Sequence, residues 1–471
     1  MNLSSIRKTQ LIEANRKEYG DACDTLRWIS AEQALAATQE RNDLLSSLHN
    51  RVVFCCNNTK LDGRDLSHGC EICTQGSWSC LFIHGRCNCR CFYCSSQQTE
   101  NLVPTTNTVP FPDVVDYIDY IRILGFTGVS FSGGEPLMML DNTLHYLNEV
   151  KQTCGDEIYT WLYTNGTLAT RETLLKLKNA GLNEIRFDIG ATGMKLDAAK
   201  TAVDLVDVVT VEIPALPEEF ELMKAKIIEM ESVGIRHLNL HQLRLTPYNL
   251  PRLLNRNYTF LHGERVAVLE SELTALRLIR WAYDHHIRLP INYCSFVYKN
   301  RFHRAAARRK SAEFVRKPYE DITASGYIRA LELAGEVEAL NRLSDTLRQS
   351  GSEDCLWSLD TRKSRMYVAT SLWPLIDASQ FHFSVTYAEA KILPAVTYGN
   401  YFVELPLNRQ RSLYVEKITV SEKIELDHVL VERLRKLIEW GDTQQHDERG
   451  GEKWERVRLF EFIEEGLAVY F

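Results

Sequence analysis

The 471-residue chain has no apolar run of the roughly 20 residues that a membrane-spanning helix needs. Its first residues, MNLSSIRKTQLIEANRKEYG, lack the apolar core of a secretory leader. A helical membrane protein is therefore excluded, and a cytoplasmic location is the expectation. Internal repeats and long low-complexity tracts are also missing, which argues against a solenoid and against disorder. Charge of one sign is not in large excess: the formal net charge is −7, too acidic for nucleic-acid binding over the whole surface but compatible with a local basic patch. Cysteine is scarce over most of the chain, with only Cys23 before residue 55 and only Cys154, Cys294 and Cys355 after residue 94. What remains is ordinary globular material, 45% hydrophobic and 25% charged, long enough for two or three domains.

The other nine of the 13 cysteines fall between Cys55 and Cys94. Cysteines that serve only as small core residues would be scattered. In a reducing compartment a cluster of this density points to metal.

From residue 81 the chain alternates strand and helix patterns. Strand candidates are 81–85, 128–131, 158–164, 184–189, 208–213, 237–243 and 289–294, with amphipathic stretches such as 112–124, 173–180 and 219–234 between them. Six or seven β–α units imply a parallel sheet, and fewer than eight imply a partial (β/α)6-like TIM barrel. Residues 1–79 are expected to be a helical and cysteine-rich segment, 80–317 the barrel, 318–351 a helical linker, and 352–471 a C-terminal α+β domain closed by helices near 428–440 and 453–465. The stretch 442–453 reads as a solvated loop.

Directly after the first barrel strand, Cys87, Cys91 and Cys94 are spaced C-x3-C-x2-C. A loop there lies at the carboxyl end of the strand, where parallel α/β folds place active sites. Three thiolates can hold three corners of a [4Fe–4S] cube and leave one iron open to an exchangeable ligand. A structural zinc site completed by Cys89 or another cysteine is the competing reading.

This loop, with aromatic Tyr93 before its last cysteine, resembles the signature of the radical S-adenosylmethionine (radical SAM) superfamily. PheSerGlyGlyGluPro at 131–136 resembles that family's GGE motif, in which Gly133, Gly134 and Glu135 would grip the methionine amino group of SAM. Thr164, in TyrThrAsnGlyThr, and Asp188, in ArgPheAspIleGly, resemble polar positions near the SAM ribose and carboxylate. The segment 211–215 lacks the family's more elaborate glycine motif. The segments 237–242 and 290–295 resemble poorly characterised members related to pyruvate formate-lyase activating enzymes. The resemblance covers about residues 80–295 and implies reductive cleavage of SAM to a 5′-deoxyadenosyl radical that abstracts hydrogen from a substrate. It also implies an electron donor such as flavodoxin or ferredoxin. The seven-cysteine C-terminal arrangement of SPASM-type maturases is absent.

The remaining cysteines leave readings open. Cys70, Cys73 and Cys80, with Cys55 or Cys56, are candidate ligands of a second zinc or iron site. At ~3.3 Å per residue, a strand over 81–86 would put Cys80 about 20 Å from Cys87, at the barrel's bottom. Cys294 ends the last barrel strand, where it would be either a hydrogen-atom donor or core. Residues 299–317 hold eight Lys or Arg against Glu313. On a helix, Arg301, Arg304 and Arg308 would share a face able to hold phosphates of an RNA, a nucleotide-bearing molecule or an acidic peptide, or would simply be solvated. The rival to an enzyme is a non-enzymatic zinc or iron–sulfur protein that binds nucleic acid. The GGE segment favours the enzyme, since a metal knuckle has no use for it.

Overall fold

A computed structural model describes residues 5–362, 364–408, 410–440 and 451–471. The chain divides into two units, Met1–His303 with Glu464–Phe471, and Arg304–Ile463.

The first unit contains seven parallel strands: β1 (Trp78–His84), β2 (Gly128–Gly133), β3 (Tyr159–Thr164), β4 (Glu184–Phe187), β5 (Val208–Pro214), β6 (His237–His241) and β7 (Ile291–Cys294). They are ordered β7-β6-β5-β4-β3-β2-β1, and each neighbouring pair is parallel. Both flanks are extended by short antiparallel hairpins, Val53–Cys55 with Lys60–Asp62 beside β7 and Thr105–Thr106 with Val109–Pro110 beside β1. Short paired edge strands leave little ladder for another chain to extend. The sheet is open, a partial barrel with seven strands.

The two faces of these strands differ in chemistry. Leu81, Ile83, Val129, Phe131, Leu162, Ile185, Phe187, Val209, Val211, Leu238 and Leu240 are buried. Alternate positions carry Ser130, Glu184, Arg186, Thr210, Glu212, Asn239 and Asn292. A parallel sheet covered on both faces is normally apolar on both. Here the polar face lines the barrel interior. Outer helices start at capping residues, as where Asp113 accepts from Val115 N–H and Thr170 from Thr173 N–H. The N-terminal segment supplies two helices, Ser5–Tyr19 and Ala31–Leu48, the second opened by a capping box of Ser30 and Gln33.

The C-x2-C pair lies on a short helix, His68–Thr74, which plugs the interior. Ser67 Oγ accepts from Arg186 Nη2 at 3.2 Å, and Asn239 Nδ2 donates to Cys70 Sγ at 3.4 Å. A Cβ on Gly69 would lie 2.6 Å from Arg186 Nη2 and 2.8 Å from Glu184 Oε2, so only glycine fits.

The second unit is α+β. Its sheet runs, in spatial order, Trp357–Leu359, Arg365–Val368, Ile328–Ala334, His382–Leu393, Ser412–Thr419 and Tyr401–Pro406, with all pairings antiparallel. Leu331, Leu333, Leu340, Leu343, Trp373, Phe383 and Leu434 belong to its core. Two expected boundaries differ. The unit begins at Arg304, and the stretch 318–351 is no helical linker: Ile328–Ala334 is an inner strand of the sheet, followed by the helix Val337–Gln349. Residues 464–471 return to the first unit. The loop expected at 442–453 lies, up to residue 450, outside the described residues. No helix among the described residues is long and apolar enough to cross a membrane.

Candidate active site

A cavity of about 390 Å³ opens among the carboxyl ends of the strands. Cys87, Cys91 and Cys94 line it, together with Tyr93, Gly133, Gly134, Thr164 and Asp188, so residues far apart in sequence meet in one space. The cysteine loop is held from several sides. Gly134 N–H donates to His84 O at 2.9 Å and Glu135 N–H to Arg86 O at 2.8 Å. Asn249 Nδ2 donates to Tyr93 O at 3.2 Å, and Arg252 Nη1 to Cys91 O at 3.1 Å.

The donor set fits a [4Fe–4S] cluster with one open iron. Cys87 Sγ accepts from Cys89 N–H at 3.4 Å and from Asn165 Nδ2 at 3.8 Å. Cys89 lines the same cavity, with its Sγ 4.0 Å from Ala191 O. Among the described residues no three His, Cys, Asp or Glu side chains are gathered as ligands of a single ion. The corners of a cube stand further apart than the ligands of one ion, so this bears on single-ion sites and not on a cluster.

The glycines provide a cradle. Gly133 has φ +129°, and a Cβ there would meet His84 O at 2.3 Å. Glu135 is buried beside them without lining the cavity. Its Oε1 accepts from Thr164 Oγ1 at 2.8 Å and Leu137 N–H at 3.0 Å, and its Oε2 from Asn165 N–H at 2.7 Å. The carboxylate thus ties the glycine loop to the turn after β3. Burial pushes its pKa up, against these three bonds. Tyr93 Oη donates to Asp188 Oδ1 at 2.7 Å, and Gly190 N–H donates to the same oxygen at 3.1 Å. Burial raises Asp188 to about 6 despite them.

Deeper in the barrel runs a polar chain that sequence reasoning did not single out. Arg186 donates to Glu184 Oε1 at 2.8 Å, to Tyr163 Oη at 3.1 Å and to Glu212 Oε2 at 2.9 Å. His241 Nε2 lies 2.7 Å from Glu212 Oε1, and His241 Nδ1 lies 2.8 Å from Lys299 Nζ. Burial works against the Glu212 carboxylate, but Arg186, His241 and Lys299 outweigh it and hold it well below the usual range. Burial, then Lys299, pushes His241 down, so the imidazole is neutral at neutral pH. The missed signal is the alternation of charged residues in EIRFD and VVTVE, where a buried parallel strand should be apolar throughout.

Other expectations are corrected by position. Cys80 is not at a remote barrel bottom; it lines the same cavity as Cys87, because its side chain points inward from β1. Cys70 and Cys73 belong to the plug helix, and with Cys80 they form no single-ion site. Burial raises the Cys73 thiol to about 11 and the Cys80 thiol to about 12, as it raises Cys91 to about 12, so it is position and not acidity that sets the two groups of cysteines apart. Cys294 is buried, pairs in register with Lys60 of the Val53–Asp62 hairpin, and does not line the cavity. The basic stretch is not one helix face: Tyr298–His303 is π-helical, and the α-helix starts at Arg304. Its guanidinium groups are engaged locally. Arg301 pairs with Glu464 at 2.8 Å, Arg308 donates to Ser325 O at 2.9 Å, and Arg316 pairs with Glu313 at 2.9 Å. Lys299, at the head of the stretch, is the member that faces the cavity.

A cysteine-rich loop at the mouth of a partial barrel, beside a glycine cradle, defines an iron–sulfur enzyme of the radical-generating class. The family model described as the radical SAM superfamily matches residues 81–195. A Methanocaldococcus jannaschii protein bearing the name of a glycyl-radical enzyme activating enzyme is 30% identical over 304 residues, 61% of this chain and 79% of its own length. The GTP 3',8-cyclase of Lactiplantibacillus plantarum is 31% identical over 120 residues, 26% of this chain and 35% of the cyclase. Among solved structures, Streptococcus suis SuiB bound to S-adenosylmethionine matches over 62% of this chain and 61% of that chain, with 14% identity and a TM-score of 0.36. The chain belongs to the radical SAM superfamily. As a member of that superfamily it is an enzyme whose cofactors are a [4Fe–4S] cluster and SAM.

Proposed function

We propose that Cys87, Cys91 and Cys94 hold three irons of the cluster, that SAM takes the fourth, and that the enzyme abstracts hydrogen from an anionic substrate in the same cavity. The observation that carries this reading is the shared lining: the three thiols, Gly133 and Gly134 face one space. Held by Cys87, Cys91 and Cys94, a reduced cluster would supply one electron to the sulfonium of SAM, whose carbon–sulfur bond would break to give methionine and a 5′-deoxyadenosyl radical. The protein's part is position and shelter. The Cys89 N–H and the Asn165 side-chain N–H point at Cys87 Sγ and orient it. The glycines admit the ligand close to the backbone. Glu135 acts from behind the lining, its carboxylate joining the glycine loop to Thr164 and Asn165 at the turn after β3 and so fixing the wall that the methionine end of SAM would meet. Tyr93 and Asp188 form the wall behind the cysteine loop. An external flavodoxin or ferredoxin would deliver the electron. The name of the archaeal relative makes a peptide one substrate class to test.

The experiment compares single Ala variants of Cys87, Cys91 and Cys94 with Cys89→Ala, all reconstituted anaerobically. Each of the first three should lose the absorbance at about 400 nm, the bound iron and 5′-deoxyadenosine formation. Cys89→Ala should keep all three. A triad variant that retains the cluster while Cys89→Ala loses it overturns the ligand set.

A further inference from the structure

The interior polar chain ends at a cation. Glu184 and Glu212 flank Arg186, and Glu212 leads to His241 and Lys299. Two carboxylates, one guanidinium and one ammonium balance, yet the ammonium stands at the end of the row, where it lines the cavity. Among the described residues no carboxylate forms an ion pair with Lys299. Its neighbours are His241 Nδ1 at 2.8 Å and the Phe296 ring, 5.5 Å from Nζ to the centroid. Because His241 accepts on Nδ1, its Nε2 carries the proton that goes to Glu212 Oε1. The imidazole therefore holds the ammonium from behind. An ammonium has three N–H groups, and only one is spent on His241. The other two are free for an acceptor in the cavity that Lys299 lines, water or the anion of a ligand.

We propose that Lys299 is the anion-holding residue of the substrate site, set in place by His241 and Glu212, and that it takes the carboxylate or phosphate of a small molecule. This rests on the proposed radical chemistry in the same cavity. Lys299 follows β7, at the flank of the sheet opposite β1 and its cysteine loop. A substrate anchored there extends across the cavity toward the cysteines. The space, about 390 Å³ and also needed for SAM, suits a small molecule. RNA would call for several phosphate contacts along a basic track. The arginines of residues 301–316 named above do not offer one, being engaged within their own units.

The test is isothermal titration of the anaerobic, SAM-loaded holoenzyme with succinate and with inorganic phosphate at low ionic strength. One of the two should bind with 1:1 stoichiometry, the preferred probe telling carboxylate from phosphate. Lys299→Gln should weaken that binding about tenfold or more, the size of one charge-assisted hydrogen bond. Lys299→Arg keeps the charge and should restore most of the affinity, which separates loss of charge from misfolding. Binding that is equal in wild type and Lys299→Gln, or absent for both probes, overturns the proposal. SAM cleavage by the wild type is measured in parallel. A protein that binds the probe through Lys299 yet makes no 5′-deoxyadenosine refutes the radical reading and upholds the anion site.

Discussion

Gly134→Ala sets two readings of the GGE segment against each other. In an ordinary surface turn the change is harmless, since the φ of Gly134 lies outside the left-handed region and the backbone accepts alanine. In this fold the new methyl would stand 1.8 Å from Arg86 O, 2.3 Å from the Arg86 carbonyl carbon and 2.9 Å from Gly85 O. All three are backbone atoms and cannot swing aside. Restoring a normal contact of about 3.5 Å requires the two segments to part by roughly 1.5–2 Å. The bonds that cross this joint, Gly134 N–H to His84 O and Glu135 N–H to Arg86 O, would be lost. Each is worth about 1 kcal/mol, and about 1–3 kcal/mol if its groups stay buried without partners, so the local cost is about 2–6 kcal/mol. Arg86 adjoins Cys87, so the displacement passes to the cysteine loop. A misplacement of about 1 Å costs on the order of 100-fold in rate. Gly134→Ala should therefore lower 5′-deoxyadenosine formation about 100-fold, with reduced iron loading. Gly399→Ala, where a Cβ meets nothing within 4 Å, should change nothing. The assay is anaerobic turnover with dithionite and chromatographic detection of 5′-deoxyadenosine, normalised to iron. A Gly134→Ala enzyme within threefold of wild type refutes the close-approach argument.

Glu135→Gln puts an amide donor either against the Thr164 hydroxyl and Leu137 N–H or against Asn165 N–H; SAM affinity should fall by about 1–3 kcal/mol with the cluster spectrum kept, and unchanged affinity sinks the role. Gly69→Ala should destabilise by about 1–3 kcal/mol through overpacking against the pinned Arg186, although helix propensity alone predicts a gain of about 1 kcal/mol. The sign of its shift in a urea melt decides between them. His262, stacked 3.6 Å from Trp28, has its pKa pushed down from 6.5 to about 4 by burial, so the folded state binds fewer protons than the unfolded chain. Its contribution is full above pH 6.5 and is lost as pH falls toward 4. At pH 5 the loss is at most about 2 kcal/mol, less for partial exposure. Urea midpoints at pH 7.5 and 5 should converge in His262→Phe relative to wild type, and parallel pH profiles count against the assignment.

The barrel was readable because each strand buries one apolar face, and its alternation survives in sequence. Hence all seven strand candidates correspond to β1–β7 within a few residues. The loop of Cys87, Cys91 and Cys94 stands out in the sequence for another reason: its spacing lies in contiguous residues, and the three side chains line one cavity. Ile328–Ala334 shows where this fails. Its residues IRALELA are largely helix formers, and they are strand because Arg365–Val368 and His382–Leu393 pair on either side. Such pairing is long-range context, which overrides local propensity. The basic stretch failed similarly, since a π-helical turn after Tyr298 breaks the spacing that put Arg301, Arg304 and Arg308 on one face.

The cysteines carry the most general physical point. Spacing alone made Cys70-x2-Cys73 as good a ligand pair as Cys91-x2-Cys94. What separates them is the backbone. Residues 68–74 are helical, with Cys70 capped through Ser67 and Cys73 beside Tyr298, and both thiols pack as small interior groups. Residues 87–94 have no regular secondary structure and follow a strand's carboxyl end, where side chains converge on open space. Gly69 is the sequence's own marker of the difference. A metal knuckle has no need for glycine beside its first cysteine, whereas a helix pressed against Arg186 and Glu184 has no room for anything larger. Cysteine density therefore marks the neighbourhood of the cavity, and the adjacent residue types tell which cysteines lie on the packed helix and which on the open loop.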